Sequence, residues 1–394
     1  MTAYFRFVGF FAGLIPIIAL FSGQALVPIL ILLGLYPFYK FFKDGGYKNL
    51  EIPKKFDLQS YAIILPIGFL FLACFVSHNV AESLELYFRI LFLLFLFYVI
   101  FNYVQRFNIF QSQVIIRNYF IGFNVALLLF FIEKNTNAAI SEFLVGIISP
   151  EKSFDPDARL ILIVNRGLCF LVMSIWPIVA FGFANGSKRD KILLSFSFLL
   201  LFFAVFYADS ETAKLALLAT GFIYLFTKIF AERFIKLLMV GFCLVCITLP
   251  LFLGITNPQK ISEKTGLQFS AVHRLCIWKY ISGLIAQQPY GYGFDASQLD
   301  KFNNYAGKKV CVVSNDLNQM DEIYYHISHH PHNNIMQILF ELGFIGLFIY
   351  IFIFEILLLN IHNMKISKRR KGMILGLLFA YFFAGFTGYG IWQN

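Results

Sequence analysis

The chain has 394 residues, 59% of them hydrophobic and 19% aromatic, with only 14% charged and a mean hydropathy of +0.72. A soluble domain carries about 25% charged residues, and 32 basic plus 22 acidic side chains cannot clothe a soluble protein of this length; disordered, collagen-like and disulfide-scaffold chains are excluded by the same figures. A polytopic membrane protein remains, so the net charge of +10 is tested against the positive-inside rule before it is read as a nucleic-acid signal.

Apolar runs of about 20 residues predict eleven membrane helices, over 4–21, 24–42, 58–76, 84–104, 114–132, 159–183, 191–208, 212–231, 234–254, 333–359 and 372–391. The expected fold is all-α, an integral membrane protein of about 11–12 transmembrane helices with one large loop between the late helices. Residues 1–254 hold helices one to nine, 255–332 the loop and 333–394 the last two helices. Only Ser22-Gly23-Gln24 separates the first two runs, which leaves a re-entrant hairpin open there. The first run passes into the second without a small-residue cleavage site, so no cleavable signal peptide is expected.

The loops alternate in charge. With the N-terminus inside, the inner side receives 18 Lys and Arg, including Lys40, Lys43, Lys48, Lys54 and Lys55 in one loop and Lys365, Lys368, Arg369, Arg370 and Lys371 in another. The outer side holds nine, spread over far more residues, and its short loops 77–83 and 209–211 have none. This predicts a cytoplasmic N-terminus, with the long loop on the outer side. Five basic residues remain inside the runs: Arg89, Arg117, Arg159, Arg166 and Lys214. Arg117 lies about one turn from an inner end and can snorkel. The other four all fall in outer halves, where a charge costs on the order of 3 kcal/mol on insertion scales, and together they point to an anion site. Neutralisation by Asp209 and Glu211 is the structural alternative.

Within the long loop, 270–287 carries Val272, Leu275, Trp278, Ile281 and Ile285 at helical spacing, which predicts an amphipathic helix lying on the membrane surface. It bears Arg274, either a headgroup contact or part of the anion site, and it ends at the turn Pro289-Tyr290-Gly291-Tyr292-Gly293. The loop returns through His326, His329, His330 and His332. Imidazole serves as a proton carrier near neutral pH or as a metal ligand. Pro331 and the lack of a nearby cysteine at ligand spacing disfavour a metal, and no cofactor is expected. His332, at the mouth of helix ten, is the candidate base, with His330 beside it and a solvated histidine tract as the alternative. Asn333 and Asn334 follow, and Asn334, Gln337 and Glu341 form a polar stripe into helix ten; buried Glu341 is expected to pair with a basic group or a backbone donor. Of six cysteines only Cys276 and Cys311 fall in the loop, and in an oxidising periplasm they are expected to form a disulfide.

His332-Asn333 followed by Gly343-x-x-Gly346, with Arg274-x-x-x-Trp278 and Pro289-Tyr290-Gly291-Tyr292-Gly293-Phe294 upstream, resembles the signature of the O-antigen ligase and polymerase superfamily, most closely its ligase branch. Ser210-Glu211-Thr212-Ala213-Lys214 resembles a helix opening where many members place a Ser-Arg pair, here with lysine, and Asn165-Arg166-Gly167 resembles the family's mid-chain arginine. The resemblance covers roughly 160–350. It implies a glycosyltransferase that moves a glycan from an undecaprenyl-diphosphate donor to an acceptor hydroxyl, lipid A-core in ligases, by a metal-independent inverting displacement. His332, Arg274 and Arg166 would be catalytic. Arg166, Lys214, Arg274, Arg159 and Arg89 would hold the diphosphate, and Asn333, Gln337, Glu341 and His330 would support the acceptor. Membrane lipids would be further partners, and nucleic acid none. A polymerase of the same superfamily is the near alternative. A transporter of an anionic lipid-linked substrate is the distant one, though the inner half-membrane offers it only Arg117.

Overall fold

The computed structural model describes residues 2–45, 58–148, 155, 164–185, 187–208, 210–265, 267, 269–303, 310–314, 320–324, 327 and 330–388. Each of the eleven apolar runs contains a helix among its described residues: α1 Thr2–Phe21, α2 Leu26–Lys43, α3 Leu58–Val76, α4 Val80–Val104, α5 Ile109–Asn135, α7 Asn165–Asn185, α8 Lys188–Tyr207, α9 Glu211–Phe230, α10 Glu232–Ile255, α13 Asn334–Asn363 and α14 Lys368–Thr387. Shorter helices are α6 Ala139–Ile148, which the sequence did not announce, α11 Pro258–Thr265 and, in the long loop, α12 Phe269–Gln287. Among the described residues eight helices are long and apolar enough to cross a membrane, with shorter apolar stretches at Ser60–Val76 and Asn165–Ala180. The protein is thus an all-α, multi-pass membrane protein. Its departure from pure helix is an antiparallel hairpin in the loop, β1 Val310–Ser314 and β2 Met320–Tyr324, with Val312 opposite Glu322.

Local sequence sets several helix starts. The side chains of Asn79, Asn108, Ser187, Ser210, Asn333 and Ser367 each accept from an amide of the first helical turn, and Asn108 with Gln111 and Ser187 with Asp190 complete capping boxes. Small residues then allow the helices to close up, as in many membrane bundles. A Cβ on Gly122 of α5 would lie 1.8 Å from the Gly13 carbonyl oxygen of α1. One on Gly376 of α14 would lie 2.6 Å from the Trp176 ring of α7. One interior cluster gathers α5, α7, α8, α9 and α14 around Phe123, Leu168, Leu201 and Ala380. A second joins α10, α12, α13 and α14 around Ile235, Ile277, Phe340 and Leu375.

Two expectations need correction. The helix over 270–287 forms, as α12, but its apolar side is not left for lipid: Val272, Cys276, Ile277 and Ile281 are fully buried within the protein, facing α10 and α13. Spacing reveals an apolar face but not what covers it. Helix ten is likewise not one straight span. Gly343 has φ 65° and ψ −165°, so α13 is two helices joined at a sharp kink. Asn334 lies against Gly385 of α14, while Phe354 packs against Phe382 and, edge to face, Phe379 of the same helix. Twenty residues of straight helix would separate Asn334 from Phe354 by about 30 Å, yet their partners on α14 are three to six residues apart. The first segment, Asn334–Leu342, therefore runs across the end of the bundle, buried throughout, and the chain turns into the span only at Gly343.

Candidate active site

The kink is built by a strap, Pro289–Ser297, arriving from the end of α12. In an uninterrupted helix the Phe344 amide would donate to the Phe340 carbonyl. Here Phe344 N donates to Pro289 O (3.2 Å), and Phe340 O accepts from Tyr292 N (2.9 Å) instead. The Glu341 carbonyl is taken by Gly293 N, also at 2.9 Å. The strap substitutes for the missing helical bonds, as buried backbone groups demand. It needs glycine to lie so close: Gly291 and Gly293 have φ of 90° and 98°, and a Cβ would meet the Glu341 carbonyl oxygen at 2.5 Å or Ser77 Cα at 2.4 Å. Beneath it the Glu341 carboxylate, 1% exposed, accepts from Ser297 Oγ (2.6 Å), Gln337 Nε2 (3.0 Å) and Asp295 N (3.3 Å). The acid in the polar stripe is thus met by a backbone donor, a hydroxyl and an amide.

The other end of the segment Asn334–Leu342 carries the histidines. Asn333 Oδ1 accepts from the amides of Ile335 (3.0 Å) and Met336 (3.1 Å), so this residue is the N-cap that starts α13. His332, just before it, sits at φ 55°, a conformation uncommon for a side-chain-bearing residue and characteristic of functional sites. His332 Nδ1 and His330 Nε2 both donate to the Gly388 carbonyl at the end of α14, at 3.1 and 3.3 Å, with the two rings 4.0 Å apart between centroids. A carbonyl can only accept, so the proton of neutral His332 is on Nδ1 and the lone pair is on Nε2. Trp278 Nε1 donates to Pro331 O (2.7 Å) and moors this turn to α12.

Burial pushes the His332 pKa down to about 3, and the charges of His330, Arg274 and His273 push the same way, against the Gly388 hydrogen bond. The Arg274 pKa is lowered by its own burial and supported by Glu211. Glu211 also pairs with Lys214 at 2.8 Å in the first turn of α9. A half-buried neutral imidazole with a free Nε2 thus lies near a guanidinium, which shares the Glu211 carboxylate with an ammonium.

Residues 196–351, from within α8 to the span beyond the Gly343 kink, match the family model described as O-antigen ligase. Through this segment the chain is similar to the O-antigen ligase family. Relatives whose names infer a polysaccharide ligase agree. One from Rickettsia conorii is 29% identical over 340 residues, 85% of this chain and 76% of its own. One from Rickettsia felis is 28% identical over 326 residues, 82% and 73%, and one from Rickettsia typhi 26% over 339 residues, 84% and 75%. No solved structure matches the chain.

The structure brings Arg274, Lys214, His330 and His332 into one charged neighbourhood. Arg166 sits exposed in the first turn of α7, where the neighbouring Gly167 packs against the Leu20 backbone of α1. Arg89 is exposed on α4, and its charge acts on Asp295 of the strap rather than on the histidines. Gln337 and Glu341 bind each other and the strap. Arg159, Asp209, His326 and His329 lie outside the described residues. Cys276 is buried and disulfide-bonded, whereas Cys74, Cys169, Cys243 and Cys246 are free; Cys311 is in β1, its side chain outside the described set. Three contributors escaped the sequence reading. The Gly388 carbonyl has no side-chain signature. Trp278 was read as an apolar-face residue and as part of the Arg274-x-x-x-Trp278 motif, but not as the donor that moors the histidine turn. Asp295, at φ 63°, was signalled only by an acid directly after a glycine-rich turn.

Proposed function

We propose that the protein is a metal-independent, inverting glycosyltransferase that moves a glycan from undecaprenyl diphosphate to an acceptor hydroxyl, lipid A-core in the first instance. In this reading it works at the periplasmic face of a bacterial inner membrane, with its N-terminus in the cytoplasm. The observation that carries it is the His332–Gly388 hydrogen bond beside Arg274, at the mouth of the kinked helix. As the acceptor oxygen forms its bond to the anomeric carbon, its proton passes to His332 Nε2. The bond from that carbon to the diphosphate oxygen breaks, and the electron pair leaves with the diphosphate. Gly388 O, at the C-terminal end of α14, faces the imidazolium that results, a favourable place for a cation. Arg274, Lys214 and Arg166 take the growing charge on the leaving group; a guanidinium fork fits phosphate oxygens bidentately. Diphosphate is a good leaving group once its charge is met, so the chemistry needs little acid assistance.

The test uses purified protein in nanodiscs, a carrier-linked glycan as donor, lipid A-core as acceptor, and chelator throughout. His332→Ala, Arg274→Ala and Arg166→Ala are each expected to abolish transfer while inserting normally; full activity in all three would overturn the mechanism. Glycan on lipid A-core identifies a ligase, and lengthened carrier-linked glycan a polymerase.

A further inference from the structure

A second polar cluster lies at the opposite end of the segment Asn334–Leu342 from His332. The strap residue Phe294 accepts from Ser83 Oγ of α4 through its carbonyl (2.8 Å) and donates through its amide to Ala73 O of α3 (3.4 Å). Asp295 follows in a left-handed conformation, its own amide held by Glu341. The backbone of Asp295 is thereby fixed from three helices. Its carboxylate, by contrast, makes no hydrogen bond or ion pair to any described residue, although the residue is half-buried. Arg89 of α4 is near enough for its charge to favour the carboxylate and Glu82 near enough to oppose it, yet Arg89 stands beyond ion-pair distance. Alongside, Lys301 Nζ contacts His78 Nε2 at 2.5 Å and lies 5.8 Å from the centre of the Tyr292 ring.

A half-buried carboxylate left without a partner is costly. What would satisfy it must suit an acceptor and the donor groups around it together. A free anion would meet Asp295 and Glu82, and a cation would meet Arg89 and Lys301. A neutral sugar ring meets neither objection, because each hydroxyl both donates and accepts. We propose that Asp295 and Arg89 form a carbohydrate subsite that grips a non-reacting sugar ring of one of the two substrates. Glu341 lies seven residues along the helix from Asn334, about 10 Å, so the subsite reads a ring set back from the one undergoing transfer at His332. This assignment rests on the transferase reading and deepens it. It also gives Arg89 a sugar rather than the diphosphate.

The experiment measures KM separately for the carrier-linked donor and for lipid A-core in wild type, Asp295→Asn and Arg89→Gln. Losing a charge-assisted hydrogen bond is expected to raise one of the two KM values about tenfold or more, leaving the other and kcat little changed. Which KM rises says whether the ring belongs to donor or acceptor. The double variant is expected to be little worse than the poorer single one, because both residues hold one ring. Unchanged KM values, or a fall in kcat alone, would overturn the subsite while leaving transfer by the wild type intact. Should wild type transfer nothing, saturation-transfer NMR decides the subsite independently. The probes are core oligosaccharide released from lipopolysaccharide and glycan released from its carrier. One of them must bind wild type and lose its signal in Asp295→Asn, and no difference with either refutes the proposal. Arg89 is exposed, so its variant covers the case in which Asp295→Asn fails to fold.

Discussion

Gly343→Ala is the sharpest test of how the kink is held. At φ 65° and ψ −165° the backbone occupies a region essentially reserved for glycine, at about 1–3 kcal/mol for any other residue. The added Cβ would lie 2.3 Å from the Tyr290 carbonyl carbon, 2.5 Å from its oxygen and 2.6 Å from the Pro289 oxygen. All three are backbone atoms of the strap and cannot rotate away, so overpacking adds about 1–3 kcal/mol. Relief by retreat of the strap breaks the bonds from Phe344 to Pro289, Tyr292 to Phe340 and Gly293 to Glu341, each worth about 1 kcal/mol. Either route destabilises by about 3–5 kcal/mol, which at about 2 °C per kcal/mol for a large domain lowers Tm by roughly 6–10 °C. The assay is thermal unfolding of purified protein by intrinsic fluorescence, with Gly221→Ala and Gly241→Ala as controls; both glycines lie within helices, with nothing within 4 Å of an added Cβ. The controls are expected to match wild type or gain up to about 1 kcal/mol from better helix propensity. If Gly343→Ala melts with the controls, the strap does not shape the helix.

Two buried groups give opposite pH slopes. The His332 pKa falls to about 3 in the folded protein from an ordinary value near 6.5, so its contribution is present above about pH 6.5 and is lost as pH falls through that window. The Asp295 pKa is raised from 3.8 to about 6, chiefly by burial, so its contribution is present below 3.8 and is lost as pH rises through 6. Thermal melts from pH 4 to 7 should therefore gain slope in Asp295→Asn and lose it in His332→Gln; equal slopes in both variants would refute the burial of either group. Because His332 stays neutral, it should impose no acid limb on transfer near pH 6.5, and a limb centred there in the wild type would contradict its environment. Maleimide mass-shift labelling without reductant should leave Cys276 and Cys311 unmodified while Cys276→Ser exposes one new thiol at Cys311; two reactive loop thiols in the unreduced wild type would remove the pairing.

The eleven helices were legible because each rests on local causes: an apolar run of spanning length and, at several starts, a capping side chain one residue ahead, as at Asn79, Ser210 and Asn333. The break at Gly343 was not. Leu342-Gly343-Phe344 sits inside a long apolar run without proline, and glycine there reads as close packing. What bends the helix is a strap some fifty residues earlier in the chain, whose amides take carbonyls the helix would otherwise use. The same blindness misplaced α12: its apolar residues were visible, but α10 and α13, not lipid, cover them. Glu341 was anticipated in kind, needing a partner, but its donors Ser297 and Asp295 come from the strap as well.

The spacing between His332 and Gly343 acquires a physical meaning from this geometry. The nine residues Asn334–Leu342 form a buried rod about 13 Å long, with the histidine turn fixed at one end by Asn333 and Trp278 and the strap clamped on the other. Inserting or deleting one residue would rotate the strap's contacts by about 100° around the helix relative to His332, so the register joins the histidine to Glu341 and Asp295 as one unit. The group that orients His332 lies outside that unit and outside the matched segment, since Gly388 follows residue 351 by a whole helix. It acts through a backbone carbonyl that any residue would supply. A motif search can register the histidine and the glycine, but the carbonyl that sets the histidine's tautomer is visible only once α14 has been packed against α9 and its end brought beneath the imidazole.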